Sequence, residues 1–243
     1  MIMLPIPDFI QQTLPPESDL PFRWDEWNTE MADEPLDIGL MKQFETLSHR
    51  ATLAFTIISA YWILNRFSSL VDETIPLQAL EAAWAQQIHF LYSWDWDLDR
   101  DWTGPIRGPI RLALDKVTWA VQETRDYRHP AWGAASISKL VEYVLIDPTP
   151  YISWRAFTLS RLQSFYQFDP LEPLGDVVPP QAFDPSVAYT PESAEQEMNE
   201  FLKGLNLHLN PFLNSREQML EIGFQGTPYH FNAEQDRIDR FEW

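Results

Sequence analysis

Residues Ala51 to Leu64 form an almost unbroken apolar run, closed at its two ends by Arg50 and Arg66 and interrupted only by Thr52, Thr56 and Ser59. Spanning a bilayer takes about 20 apolar residues, so the run is too short for a membrane helix. Wound as an α-helix it is hydrophobic on nearly every face: Leu53, Phe55, Ile57, Ile58, Tyr61, Trp62, Ile63 and Leu64 point all round. Such a helix is stable only when other elements wrap it on several sides. The rest of the chain must therefore supply that wrapping, and the run is expected at the centre of the fold.

The wrapping elements read as helices too. From about Leu36 to Val71 only Gly39 and a bend near Ser48 interrupt a helical pattern, with Pro35 suited to a first turn and Asp33 to its cap. Leu77, Leu80, Trp84, Ile88 and Leu91 recur at steps of three and four, as do Ile110, Leu114, Val117 and Val121 after Pro109. Ile137, Leu140, Val141, Val144 and Leu145 repeat the pattern, and Ile152 to Phe165 gives a weaker fifth case. Thr190-Pro191 opens a further helix closing at Gly204, and Ser215 with Gln218 has the spacing of a capping box before Gly223.

Two stretches have no period. Residues 1–34 are rich in proline and acid and read as an irregular arm pinned to the body by Phe22, Trp24 and Trp27. Residues 169–190 carry five prolines and read as a linker or a strap over the surface. No segment alternates apolar and polar residues between hairpin turns, so no large sheet is expected. The reading is mainly α: a single helical domain of about six to eight helices around a buried central one. Its parts are an arm (1–34), a helical core (35–168), the proline-rich strap (169–190), and C-terminal helices and tail (191–243) packed on the same domain.

Composition narrows the function. There are no cysteines, which removes disulfides, thiolate metal sites and thiol catalysis, and fits a cytoplasmic home. The N-terminus lacks the basic and apolar regions of a secretory signal. The net charge of −19 is uneven: −8 over residues 1–48, −4 over 49–101, +3 over 102–168 and −10 over 169–243. Such an excess repels nucleic acid backbones and anionic membranes and favours a basic protein partner.

The most distinctive stretch is Trp94-Asp95-Trp96-Asp97-Leu98-Asp99-Arg100-Asp101-Trp102. Alternating carboxylates and indoles can contact a cationic side chain or a polar ligand. As a calcium loop it fails: counted from Asp99, Gly104 stands correctly sixth, but the twelfth position is Ile110 instead of glutamate. The doubled tetrapeptide Gly104-Pro105-Ile106-Arg107 and Gly108-Pro109-Ile110-Arg111 follows, before a helix whose N-terminus could hold an anion. The expected contact residues are accordingly Trp94, Asp95, Trp96, Asp97, Asp99, Asp101, Trp102, Arg107 and Arg111. The five histidines show no metal-ligand spacing, and no nucleophile elbow, phosphate loop or dinucleotide fingerprint is present, so no cofactor, metal or catalytic residue is expected. The sequence thus points to a non-catalytic acidic binding protein that engages a basic partner, as toxin-neutralising immunity proteins and some regulatory proteins do. The alternative is a helical enzyme with a polar pocket near residues 94–111.

Overall fold

A computed structural model of the chain describes residues 6–13, 19–30, 36–93 and 102–239. Helices form where apolar residues recur at helical spacing: Asp8–Thr13 (α1), Ile38–Phe44 (α2), His49–Phe67 (α3), Ile75–Gln86 (α4), Gly104–Arg125 (α5), Ala131–Val144 (α6) and Thr149–Phe165 (α7). Ala194–Gly204 (α8), Arg216–Glu221 (α9) and Ala233–Asp239 (α10) follow. Among the described residues there is no strand, only isolated bridges at Leu47–Gln167 and Ser93–Leu213. The protein is a single helical domain of mainly α class.

Helix α3 is the axle. All 19 of its residues are buried, including both arginines that bracket the apolar run. It packs against α4, α5 and α6, and α5 packs in turn on both α4 and α6. A ring of aromatics covers its remaining side: Phe55 lies between Phe44 (4.7 Å) and Trp154 (5.4 Å), and Trp62 meets Tyr151 (5.4 Å) and Trp154 (5.5 Å). Rings at these separations add to the burial of their large apolar areas. The buried hydroxyl of Tyr151 is satisfied at 3.1 Å from both Ser59 and Ser138.

The single long helix expected over 36–71 is two helices. Leu47 pairs with Gln167, and the Ser48 N–H donates to the Tyr166 carbonyl at 2.8 Å, which pulls the chain out of helical geometry. Ser48 then caps α3 by accepting from the Ala51 N–H. The His49 and Arg50 N–H groups donate to the carbonyls of Pro173 (3.0 Å) and Leu174 (3.1 Å). The first turn of a helix leaves its N–H groups without partners inside the helix, and here the proline-rich strap supplies them. Gly175 makes the approach possible: its φ is +66°, and a Cβ there would lie 2.3 Å from the Ser48 Cβ.

Far from lying loosely on the surface, the strap buries Val177, Val178, Phe183 and Tyr189. With no period of its own, its backbone is paired by side chains of the body. The Gln87 amide clamps Val178 in both directions, Trp154 donates to the Phe183 carbonyl, and Arg161 donates to the carbonyls of Ala182, Asp184 and Val187. Backbone groups taken out of water need such partners.

The N-terminal arm is pinned at two of the three expected residues. Phe22 packs between Phe67 and Tyr143, and Trp24 lies directly on Gly108, where a Cβ would come within 2.1 Å of its indole nitrogen. Trp27 is not an anchor: it is 96% exposed, in the turn at residues 26–27. Helix α5 starts at Gly104 instead of after Pro109, because a proline so near the N-terminus forfeits a single helical bond. Helix α4 ends at Gln86, short of Leu91, and a 3₁₀ turn over Phe90–Tyr92 follows. The Ser215–Gln218 capping box forms as its spacing implies. Helix α10 arises in a polar tail where no helix was expected. Asp33 and Pro35 lie outside the described residues.

Candidate functional site

Of the nine residues expected to make contacts, Trp94, Asp95, Trp96, Asp97, Asp99 and Asp101 lie outside the described residues. Trp102 is buried, two residues before α5 begins. The Arg107 guanidinium stands over its ring, 5.6 Å from the centroid, and pairs with Glu73. Arg111 is half-buried one turn further along α5. The helix N-terminus that follows Thr103 is already served by the chain itself, since the Glu26 carboxylate accepts from the Gly104 N–H. A carboxylate at that position complements both the free N–H group and the helix dipole.

A second constellation, assembled from distant parts of the chain, lies at the other end of α5. A cleft of about 300 Å³ opens between the start of α3, the end of α4, the end of α5 and the strap. Leu53, Ile88, Phe90, Val121 and Leu174 form its apolar walls, and Gln86, His89, Thr124 and Tyr127 its polar ones. Tyr127 holds a left-handed φ of 55°, an uncommon conformation for a non-glycine residue, where the chain turns off α5.

Arg50 sits at the base of the cleft, 4% exposed. Its Nε donates to the Gln87 carbonyl at 2.8 Å, and Nη2 and Nη1 donate to the carbonyls of Ile88 and Gly175, each at 3.3 Å. The remaining fork of Nη1 and Nη2 holds both oxygens of Asp236 from α10 at 2.8 Å. A buried guanidinium is tolerable only with this degree of pairing. Arg50 marks the end of the apolar run in the sequence, but nothing local there announces that Asp236, 186 positions away, completes its shell.

Two histidines converge beside this cleft. His49 and His129 meet edge to face at 4.9 Å, and Phe168 stacks on His49 at 5.8 Å. His129 accepts from the Ala131 N–H at Nδ1, and its Nε2 lies 2.9 Å from the Leu47 carbonyl, which fixes Nε2 as the protonated nitrogen. Burial, with His129 adding to it, pulls the His49 imidazole down to about 4, and burial lowers His129 as well. Both rings are neutral near pH 7. Burial also pushes Tyr92 and Tyr189 up to about 12, so neither phenol is ionised near neutrality.

Among the described residues no group of three or more His, Asp or Glu side chains converges as a metal site would require, and no helix is long and apolar enough to cross a membrane. Comparisons of the chain with protein-family models, with curated proteins and with solved structures find no match to any of them, so a functional reading rests on residues and geometry.

Proposed function

We propose that the protein is a non-catalytic, acidic binding protein of the cytoplasm that engages a more basic protein, in the manner of a toxin-neutralising immunity protein or a regulator. The carrying observation is the way the fold sorts its charges. Among the described residues, Arg50, Arg66 and Lys116 are buried, against Glu81 as the one buried acid. Among the described residues the surface thus gives up three cations and a single acid, in a chain whose formal charge is −19. Nearer the surface, Arg161 is held by three strap carbonyls, while Arg107 and Arg155 each pair with one acid, Glu73 and Glu142. Such a field speeds encounter with a cationic surface and disfavours nucleic acid and anionic lipid. The alternative, an enzyme with a polar pocket near residues 94–111, draws less support. The described cleft lies at the opposite end of α5, and no described residue from 102 to 111 lines it.

The test is capture of partners by the full chain from cells of its native host at low and at high salt. The expected result is a basic protein recovered at low salt and lost at high salt, where screening shortens the Debye length from about 10 Å to about 3 Å. Recovery of no partner, or only of salt-insensitive ones, would remove the basis of the reading.

A further inference from the structure

We infer that the Arg50 cleft is a binding site for a small organic carboxylate with an apolar body, and that Asp236 is a built-in occupant which the ligand displaces. Three observations converge. First, backbone carbonyls of Gln87, Ile88 and Gly175 hold the guanidinium from behind, so its orientation does not depend on Asp236. The two donors left over form a planar fork that matches one carboxylate bidentately. Second, the space beside that fork is a cleft of about 300 Å³ with apolar walls from Leu53, Val121 and Leu174, at the small end of ligand pockets. Third, Gln86 lines the same cleft, and its side-chain oxygen is buried with no hydrogen-bond partner, an acceptor matched to a hydroxyl or ammonium on the ligand.

The occupant is built to leave. Helix α10 has seven residues, and of its first four side chains none is buried, Ala233 and Asp236 being half-buried and Glu234 and Gln235 exposed. Phe231, buried just before it, anchors the segment so that α10 can swing away while the chain stays docked. A ligand carboxylate exchanges one bidentate pair for another at Arg50 and adds apolar burial that Asp236 does not provide. Ligand entry and release of α10 are therefore one event. This inference is independent of any basic partner on the acidic surface.

The probe is 3-(4-hydroxyphenyl)propionate, with 4-propylphenol as the analogue lacking the carboxylate. Binding to the full chain is measured by calorimetry, and amide exchange over residues 231–239 is followed with and without the probe. The expected results are saturable binding of the acid, none of the phenol, and faster exchange over 231–239 when the acid is bound. In Asp236→Asn the tethered competitor is weakened, and the acid should bind about tenfold or more tighter, since a tethered group competes at roughly millimolar effective concentration. Should that variant be poorly folded, the wild-type comparison decides alone. Equal binding of acid and phenol, no binding of either, or acid binding with unchanged exchange over 231–239 would each overturn the inference.

Discussion

Two helix N-termini in this protein are sealed by its two proline-rich segments, and they are sealed in opposite ways. At the start of α3 the seal is neutral and buried: the Ser48 side chain and the carbonyls of Tyr166, Pro173 and Leu174 take up the first N–H groups. At the start of α5 the seal is charged and nearer the surface: the Glu26 carboxylate takes the Gly104 N–H, with Trp24 laid on Gly108 to hold the arm down. In each case one glycine permits the contact, Gly175 in the strap and Gly108 in the helix. Irregular segments that look dispensable by composition are thus the caps of the two helices on which the core depends. The buried cap is tied to global stability, whereas the charged cap should be separable from it.

The largest expected effect is at the neutral seal. Gly175→Val would force a side chain into Ser48 at a positive φ and should cost about 3 kcal/mol, read as a fall in the urea midpoint. A loss below about 1 kcal/mol would mean that the strap is a passive cover.

The same end carries a pH dependence. His49 stays neutral in the fold down to about 4, whereas an unfolded histidine takes up its proton near 6.5. Between those values the unfolded chain binds more protons, so stability falls as pH drops through that window and is fully present above it. The effect is on the order of 2 kcal/mol, and His49→Phe should flatten that part of the profile relative to wild type. An unchanged difference between the two proteins from pH 7 to pH 4 would place His49 outside the buried cluster.

At the charged seal, Gly108→Ala is decisive by its sign. Helix propensity alone predicts a gain of up to about 1 kcal/mol, whereas expulsion of Trp24 predicts a net loss of about 1 kcal/mol and a red shift of tryptophan emission. The smallest effects separate the two caps directly. Ser48→Ala should cost about 1 kcal/mol at any ionic strength, and Glu26→Gln about 0.5 kcal/mol that fades as salt is added. Equal salt dependence would erase the distinction between them.

The physical split between the seals also explains what was legible beforehand. The apolar run from Ala51 to Leu64 dictated a buried central helix because no other environment tolerates it, and the helical spacing of Leu77–Leu91 and Ile137–Leu145 located its neighbours. Helix ends were harder. The break at Ser48 depends on carbonyls more than a hundred residues away, and the start of α5 on an arm residue, Glu26. The strap carries no pattern because its order comes from Gln87, Trp154 and Arg161 acting on its backbone, which any side chains could accompany. The same holds for the cleft. Arg50 reads as a charged end to an apolar run, whereas the fold buries it and pairs it with a carboxylate from the tail. Trp102, Arg107 and Arg111 stood out by local composition, and the structure shows Arg107 engaged with both the Trp102 ring and Glu73.

The most direct measurement is amide hydrogen exchange resolved at Ser48, His49, Arg50 and Gly104. If the proline-rich segments are true caps, the first three amides exchange as slowly as the core of α3 at every salt concentration. Gly104, held by a charged partner, is protected at low salt and loses protection as salt rises. Rapid exchange at Ser48, His49 and Arg50, at rates typical of frayed helix ends, would contradict the account.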